Sequence, residues 1–251
     1  GSSATGKVVM ASAAGHLAPV SLELGGKGAN VVFEDADLDN AVHWTVEAIF
    51  RNSGQVCLAG SRLFVASAIY DEFMERFVAA AEALTVGDPF DPATKFASLA
   101  SKRHFDKVTS YVDGVGADGG TVVTGGAADD GTWLVRPTII TDLPRTAPAY
   151  CEEIFGPVCV VNRFDSEDEA VGLANDTRYG LNAMLFTENL SRAHRVASRL
   201  RAGTVWVNCF FIRDLRTPFG GVGDSGVGRE GGNFSKEFFT EPKAVVMQIN
   251  R

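Results

Sequence analysis

Cys57 stands in the stretch FRNSGQVCLAGSR, with Gly54 before it and Gly60 after it. A thiol reacts as its thiolate, which nearby backbone N–H groups and helix N-termini favour. A sharp turn at Gly54 would present the sulfur on a loop. A small buried cysteine fits the same stretch, so nucleophile and core residue both stay open here. Glu23, in VSLELGGKG, interrupts an apolar strand-like run that ends at Gly25 and Gly26. A carboxylate buried there is costly without a partner or a task, and burial would raise its pKa into the range of a general base. An edge strand with Glu23 in solvent is the alternative. In CEEIFGPV, Glu152 and Glu153 precede a Gly-Pro turn. They are either two surface acids or loop carboxylates able to accept hydrogen bonds from sugar hydroxyls. Arg213 and Arg216, in FFIRDLRTPFGGVGDSGVGREGG, suit bidentate recognition of a carboxylate, or a solvated surface.

The elements that would position these residues alternate along the chain. Residues 4–16 have helix-friendly spacing. DADLDNAVHWTVEAIFRNSG reads as a helix capped by Asp37, with Ala41, Trp44 and Ala48 on one face and Gly54 at its end. SRLFVAS reads as a buried strand, and IYDEFMERFVAAAEAL as an amphipathic helix with Phe73, Phe77 and Leu84 inward. Beyond these come a helix in SKRHFDKVTSYVDGV, a strand in GTVVTGG and an extended segment in GTWLVRPTIIT. GPVCVVNRF, LNAMLFT and GTVWVNCF read as strands, separated by helices in SEDEAVGLAND and NLSRAHRVASRL. Strands alternating with helices predict an α/β fold, a mainly parallel sheet with flanking helices. The segment with seven glycines between Gly220 and Gly232 reads as a surface loop. It lacks both a phosphate-loop pattern and the strand-to-helix context of a dinucleotide turn. PKAVVMQI reads as a last strand with nothing nearby to pair with.

The composition excludes several classes. The 251 residues carry a net charge of −8 and no basic run, which argues against nucleic acid as a partner. No apolar stretch is long enough for a membrane helix, and the N-terminus has no signal-like apolar region. The four cysteines, Cys57, Cys151, Cys159 and Cys209, form no CxxC pair or zinc spacing, and His16, His43, His104 and His194 are scattered, so no metal site is expected. Sparse unpaired cysteines suggest a reducing, cytoplasmic location.

The motifs LELGGK at 22–27, FRNSGQVCLAGSR at 50–62, EEIFGPV at 152–158 and PFGG at 218–221 together resemble the NAD(P)-dependent aldehyde dehydrogenase superfamily, in order and spacing along almost the whole chain. The resemblance implies a nucleophile at Cys57 and a general base at Glu23. Ser2 would lie at the cofactor's phosphates, Leu24 and Gly25 beside the cofactor, Glu153 at the nicotinamide ribose, and Phe155 packed near it. Asn208 and Phe219 would line the substrate channel. The reaction implied is oxidation of an aldehyde to an acid through a Cys57 thiohemiacetal and thioester, with NAD favoured over NADP. The loop RDLRTPFGG resembles the subgroup acting on hydroxymuconic semialdehydes, so Arg213 and Arg216 would face a carboxylated substrate. Family members are about twice this long. The resemblance therefore assigns residues 1–25 to a remnant of the dinucleotide-binding domain, 26–241 to the catalytic domain and 242–251 to an oligomerisation strand in a homo-oligomeric parent. The missing N-terminal half would be a partner in activity, leaving this portion weakly active or inactive alone and without tight cofactor binding. A cofactor-independent cysteine esterase and a non-catalytic fragment are the competing readings.

Overall fold

In the computed structural model, residues 1–127 and 131–249 are described. The core strands are short apolar runs rich in β-branched residues. Strands β2 (Ala29–Val32), β3 (Arg62–Ala66), β6 (Val158–Phe164) and β7 (Asn182–Phe186) are buried along most or all of their length. Burial on both faces is the mark of a parallel sheet covered by helices. With β4 (Thr121–Ala127), β5 (Val135–Thr141) and β8 (Thr204–Val207) they form one seven-stranded sheet in the order β4-β5-β6-β3-β2-β7-β8. Every pairing is parallel except β4 with β5, where the edge strand is antiparallel, irregular in register and largely exposed. The irregularity and exposure blunt an open sheet edge.

Alternation along the strands sorts the core onto two faces. Val32, Leu63, Val65, Cys159, Val161 and Met184 pack with helices α2 (Leu38–Phe50) and α3 (Tyr70–Glu82). Val31, Phe64, Ala66, Ala183 and Leu185 pack with helices α6 (Glu167–Asn175) and α7 (Leu190–Arg199). Asp37 caps α2 by accepting from the Asn40 N–H at 3.1 Å, as its sequence predicts. The helix ends earlier than predicted, at Phe50, and a 3-10 turn over Arg51–Gly54 follows, with Asn52, Ser53 and Gly54 all at positive φ. This left-handed run, rather than one glycine, reverses the chain toward Cys57.

Helix α1 (Ser3–Ala14) agrees with the predicted N-terminal helix, and helix α4 (Lys102–Gly114) fills the predicted place before β4. Several elements differ from the sequence reading. Strand β2 sits in a stretch assigned to no element there. Helix α5 (Pro148–Cys151) is a single turn, and helix α8 (Gly232–Phe239) emerges from the segment read as loop. Residues 242–249, read as a last strand, are exposed and form no strand among the described residues, because a strand needs a neighbour for its N–H and C=O groups and none lies beside it. A separate two-stranded sheet pairs β1 (Leu22–Glu23) with β9 (Gly226–Val227), antiparallel.

Candidate active site

Three motifs each run directly into one of three neighbouring parallel strands. LELGGKG leads into β2, the Cys57 loop into β3 and EEIFGP into β6. Parallel register therefore gathers Glu23, Cys57 and Glu153 at the amino-terminal edge of one sheet. Their approach is close. A Cβ added to Gly26 would overlap the Cys57 carbonyl oxygen, and one added to Gly25 would overlap the Glu153 carboxylate. Only glycine admits both contacts. Glu153 Oε1 accepts from the Gly26 N–H at 3.0 Å. The Cys57 loop is pinned from the other side, where buried Asn182 donates its amide to the Leu58 carbonyl at 3.0 Å.

Glu23 hangs from β1 between this loop and the glycine-rich segment. Its Oε1 lies 2.8 Å from where a Gly220 Cβ would be, and its Oε2 is buried with no hydrogen-bond partner. Burial, then repulsion from Glu230, lift its pKa to about 7, against the pull of Arg229 and Arg213. Such a carboxylate is ready to take a proton near neutrality. Cys57 is half-buried and free of disulfide. Burial pushes its thiol up, and the Glu153 and Glu23 carboxylates push it further. The thiolate is therefore not preformed. The sequence reading allowed for activation by a helix N-terminus, but Cys57 follows the C-terminal end of α2, where the dipole has the wrong sign.

The remaining residues from the sequence divide into those near this group and those elsewhere. Leu24 is buried, with its N–H on the Ser225 carbonyl at 3.0 Å and its side chain under Gly6 of α1. Ser2 caps α1, its hydroxyl accepting from the Thr5 N–H, at an exposed helix N-terminus of the kind that binds phosphate. Phe155 is exposed at φ 61°, with its carbonyl bonded to His104 Nε2 at 2.7 Å. Arg213 lies over the Phe219 ring at 4.4 Å and is close enough to Glu23 to affect its charge. Arg216, by contrast, is exposed and already forked onto Asp214. Asn208 is not brought to the group. It follows β8 at the carboxyl end of the sheet, and its amide is consumed by both backbone groups of Thr187 (3.0 and 2.9 Å). These bonds anchor the root of the 209–219 loop.

Two buried cations escaped the sequence reading. Lys27, 2% exposed, donates to the Ala149 carbonyl at 2.8 Å and so ties the glycine pair to the turn that carries Glu153. Burial, then Arg62, lower its pKa to about 7. Arg62, 1% exposed, donates to the carbonyls of Lys27, Leu173 and Ala174. It thereby closes the C-terminal end of α6, a favourable place for a cation. An arginine opening an otherwise apolar strand is the local signal. Its partners lie far along the chain.

The arrangement fits the nicotinamide end of a dinucleotide. Glu153 keeps one carboxylate oxygen on Gly26, while the other has no protein donor among the described residues and is open to a ribose hydroxyl. Among the described residues no cluster of His, Cys, Asp or Glu could hold a metal, and no helix is long and apolar enough to cross a membrane.

A family model described as the aldehyde dehydrogenase family matches residues 1–245, and the chain belongs to that family. It is 50% identical to a 2-hydroxymuconic semialdehyde dehydrogenase of Pseudomonas sp. (strain CF600), over 99% of this chain and 52% of that protein. Among solved structures, an aldehyde dehydrogenase from Burkholderia cenocepacia described as putative superposes with a TM-score of 0.93 at 49% identity, covering 96% of this chain and 50% of that one. The NAD+ complex of a Bacillus cereus aldehyde dehydrogenase gives 0.95 at 39% identity, covering 100% and 51%. The chain thus spans about half the length of the curated relatives it matches.

Proposed function

We propose that the chain is the catalytic portion of an NAD-dependent dehydrogenase that oxidises a carboxylated semialdehyde to the corresponding acid. The observation that carries this is the convergence of Cys57, Glu23 and Glu153 on one sheet edge, with Glu23 held near neutrality. Cys57 Sγ adds to the aldehyde carbon and forms a thiohemiacetal. Its thiol is raised, so the proton must be taken as the bond forms, and Glu23 is the group placed and tuned to take it. The Cys57 N–H is a donor for the developing oxyanion. A nicotinamide held by Glu153 and the Gly25–Gly26 pair would supply the hydride acceptor, and the carbon left on Cys57 would then be a thioester. Glu23 passes the thiol proton to solvent and then removes a proton from the water that hydrolyses the thioester, which frees the acid and returns Cys57. Glu153 and the Gly25–Gly26 pair would hold the cofactor's ribose, and Phe155, Leu24 and Ser2 would complete its site.

The substrate class rests on Arg213. Among the described residues it carries no carboxylate partner, its guanidinium lies 4.4 Å from the Phe219 ring centre, and it acts on the charge of Glu23. The semialdehyde named for the Pseudomonas relative is consistent with an acidic aldehyde. Residues 242–249, exposed and apolar, would complete a sheet in a neighbouring subunit. The full-length protein tests the assignment with 6-oxohexanoate and NAD. Glu23→Gln should slow both the first turnover and steady NADH formation, because Glu23 takes the proton in both steps. Cys57→Ala should give none. Steady turnover in Cys57→Ala would overturn the reading.

A further inference from the structure

Two adjacent carboxylates, Glu152 and Glu153, stand out in the sequence, and the reaction proposed above uses only Glu153. Glu152 is extended (φ −98°, ψ 153°), so the two side chains leave the backbone in opposite directions. Glu153 turns to the Gly26 N–H. Glu152 turns to helix α4, where Tyr111 donates its phenol O–H to Oε2 at 2.6 Å. Two more side chains of α4 reach the same turn. Lys107 Nζ donates to the Glu153 carbonyl at 3.2 Å, and His104 Nε2 donates to the Phe155 carbonyl at 2.7 Å. Positions 104, 107 and 111 form one stripe of a helix. Buried Val108 lies in that stripe, and a Cβ added to Gly156 would come within 2.8 Å of both its methyl groups. On the Cys57 side, a Cβ added to Gly54 would overlap the Gly156 carbonyl. The turn is thus gripped between α4 and the 3-10 turn that delivers Cys57.

Two carbonyl contacts leave a segment free to rotate about the line that joins them. The third contact, through the Glu152 side chain, opposes that rotation and so sets where Glu153 points. Burial, then the bond to Glu152, push the Tyr111 phenol well above its ordinary range, so it keeps its proton and donates. A hydroxyl given to a carboxylate at this distance is a charge-assisted bond. We propose that Tyr111 is a positioning residue for Glu153: its bond to Glu152 fixes the turn so that the Glu153 carboxylate stays on Gly26 and within reach of Cys57. Its consequence for the cofactor rests on the reading above, in which Glu153 holds the nicotinamide ribose. A bond that merely ties α4 to a surface turn would change stability and leave Glu153 in place.

The test uses the full-length enzyme and two readouts: NADH affinity by fluorescence titration, and the pH profile of Cys57 alkylation by iodoacetamide without cofactor. Tyr111→Phe is expected to weaken NADH binding about fivefold, a modest loss because Glu152 lies at the surface. It should also shift the Cys57 profile to lower pH, because a displaced Glu153 no longer raises the thiol. Glu152→Ala should match Tyr111→Phe. Glu152→Gln, whose amide oxygen still accepts from the phenol, should recover most of both effects. In a Glu153→Gln background, Tyr111→Phe should add nothing to either. No shift of the Cys57 profile in Tyr111→Phe, or an equal shift with and without the Glu153 carboxylate, overturns the proposal. The ribose reading fails separately. If Tyr111→Phe and Glu153→Gln both move the Cys57 profile and neither moves NADH affinity, Tyr111 still positions Glu153, and Glu153 does not hold the cofactor.

Discussion

The catalytic edge of the sheet and the 209–219 loop are built on different physical terms. At the edge, Cys57, Glu23 and Glu153 are fixed by backbone: glycines that admit an oxygen where a Cβ cannot go, and strands whose parallel register allows one arrangement. In the loop, Arg213 lies over the Phe219 ring, with no hydrogen bond or ion pair among the described residues. The first region tolerates almost no change, because its neighbours cannot move. The second can exchange side chains without disturbing the fold. Under the proposed function, chemistry common to many aldehydes would belong to the rigid region and substrate choice to the adaptable one.

The largest expected effect breaks the rigid region at its closest contact. Gly26→Ala, which forces a methyl group onto the Cys57 carbonyl, should cut kcat/KM by more than about a hundredfold for charged and neutral aldehydes alike. Equal activity would mean that the contact is not maintained in solution. Arg62→Met strips the carbonyls of Lys27, Leu173 and Ala174 of their donor and should cost about 3 kcal/mol of stability, read by urea unfolding. A cost near zero would remove the buried arginine from the scaffold. Arg213→Ala sharpens the contrast from the other side. KM for 6-oxohexanoate should rise about tenfold with hexanal within about twofold and stability unchanged.

The smallest effect is linked to pH. Glu23 is raised from 4.5 to about 7 on folding. Below pH 4.5 it is protonated folded or unfolded, and its ionisation costs nothing. Between 4.5 and 7 the unfolded chain ionises first, so stability falls as pH rises, and above 7 the penalty is constant. Glu23→Gln removes it. The variant should equal the native chain near pH 4 and exceed it by about 1 kcal/mol at pH 8, a value reduced for the partial exposure of Glu23. A gain that shrinks with rising pH would contradict the sign.

Much of this was legible in the sequence. Helix α2 announced itself through Asp37 and the Ala41–Trp44–Ala48 stripe, and β3, β6 and β7 through continuous apolar runs. Glu23 and Cys57 stood out because each breaks a local pattern. What stayed hidden depends on partners distant along the chain. The burial of Arg62 is paid back by α6 carbonyls, which no local pattern reveals. The partner of the Asn208 amide, Thr187, comes from another strand end and has no local signal. Helix α8 was masked by Gly231 and Gly232, both at positive φ, which begin it as they would begin a loop. PKAVVMQI has strand chemistry but no neighbour in this chain, so its conformation is not written in its own residues.

The central claim is that Cys57, Glu23 and Glu153 share one electrostatic site. Site-resolved alkylation of Cys57 by iodoacetamide against pH, followed by mass spectrometry, tests it most directly in the native protein, Glu23→Gln and Glu153→Gln. Burial and both carboxylates raise the thiol above its ordinary 9.0, with Glu153 the stronger of the two charges. The account predicts that each variant shifts the alkylation profile to lower pH, Glu153→Gln by more. Profiles that superpose in all three proteins would contradict it.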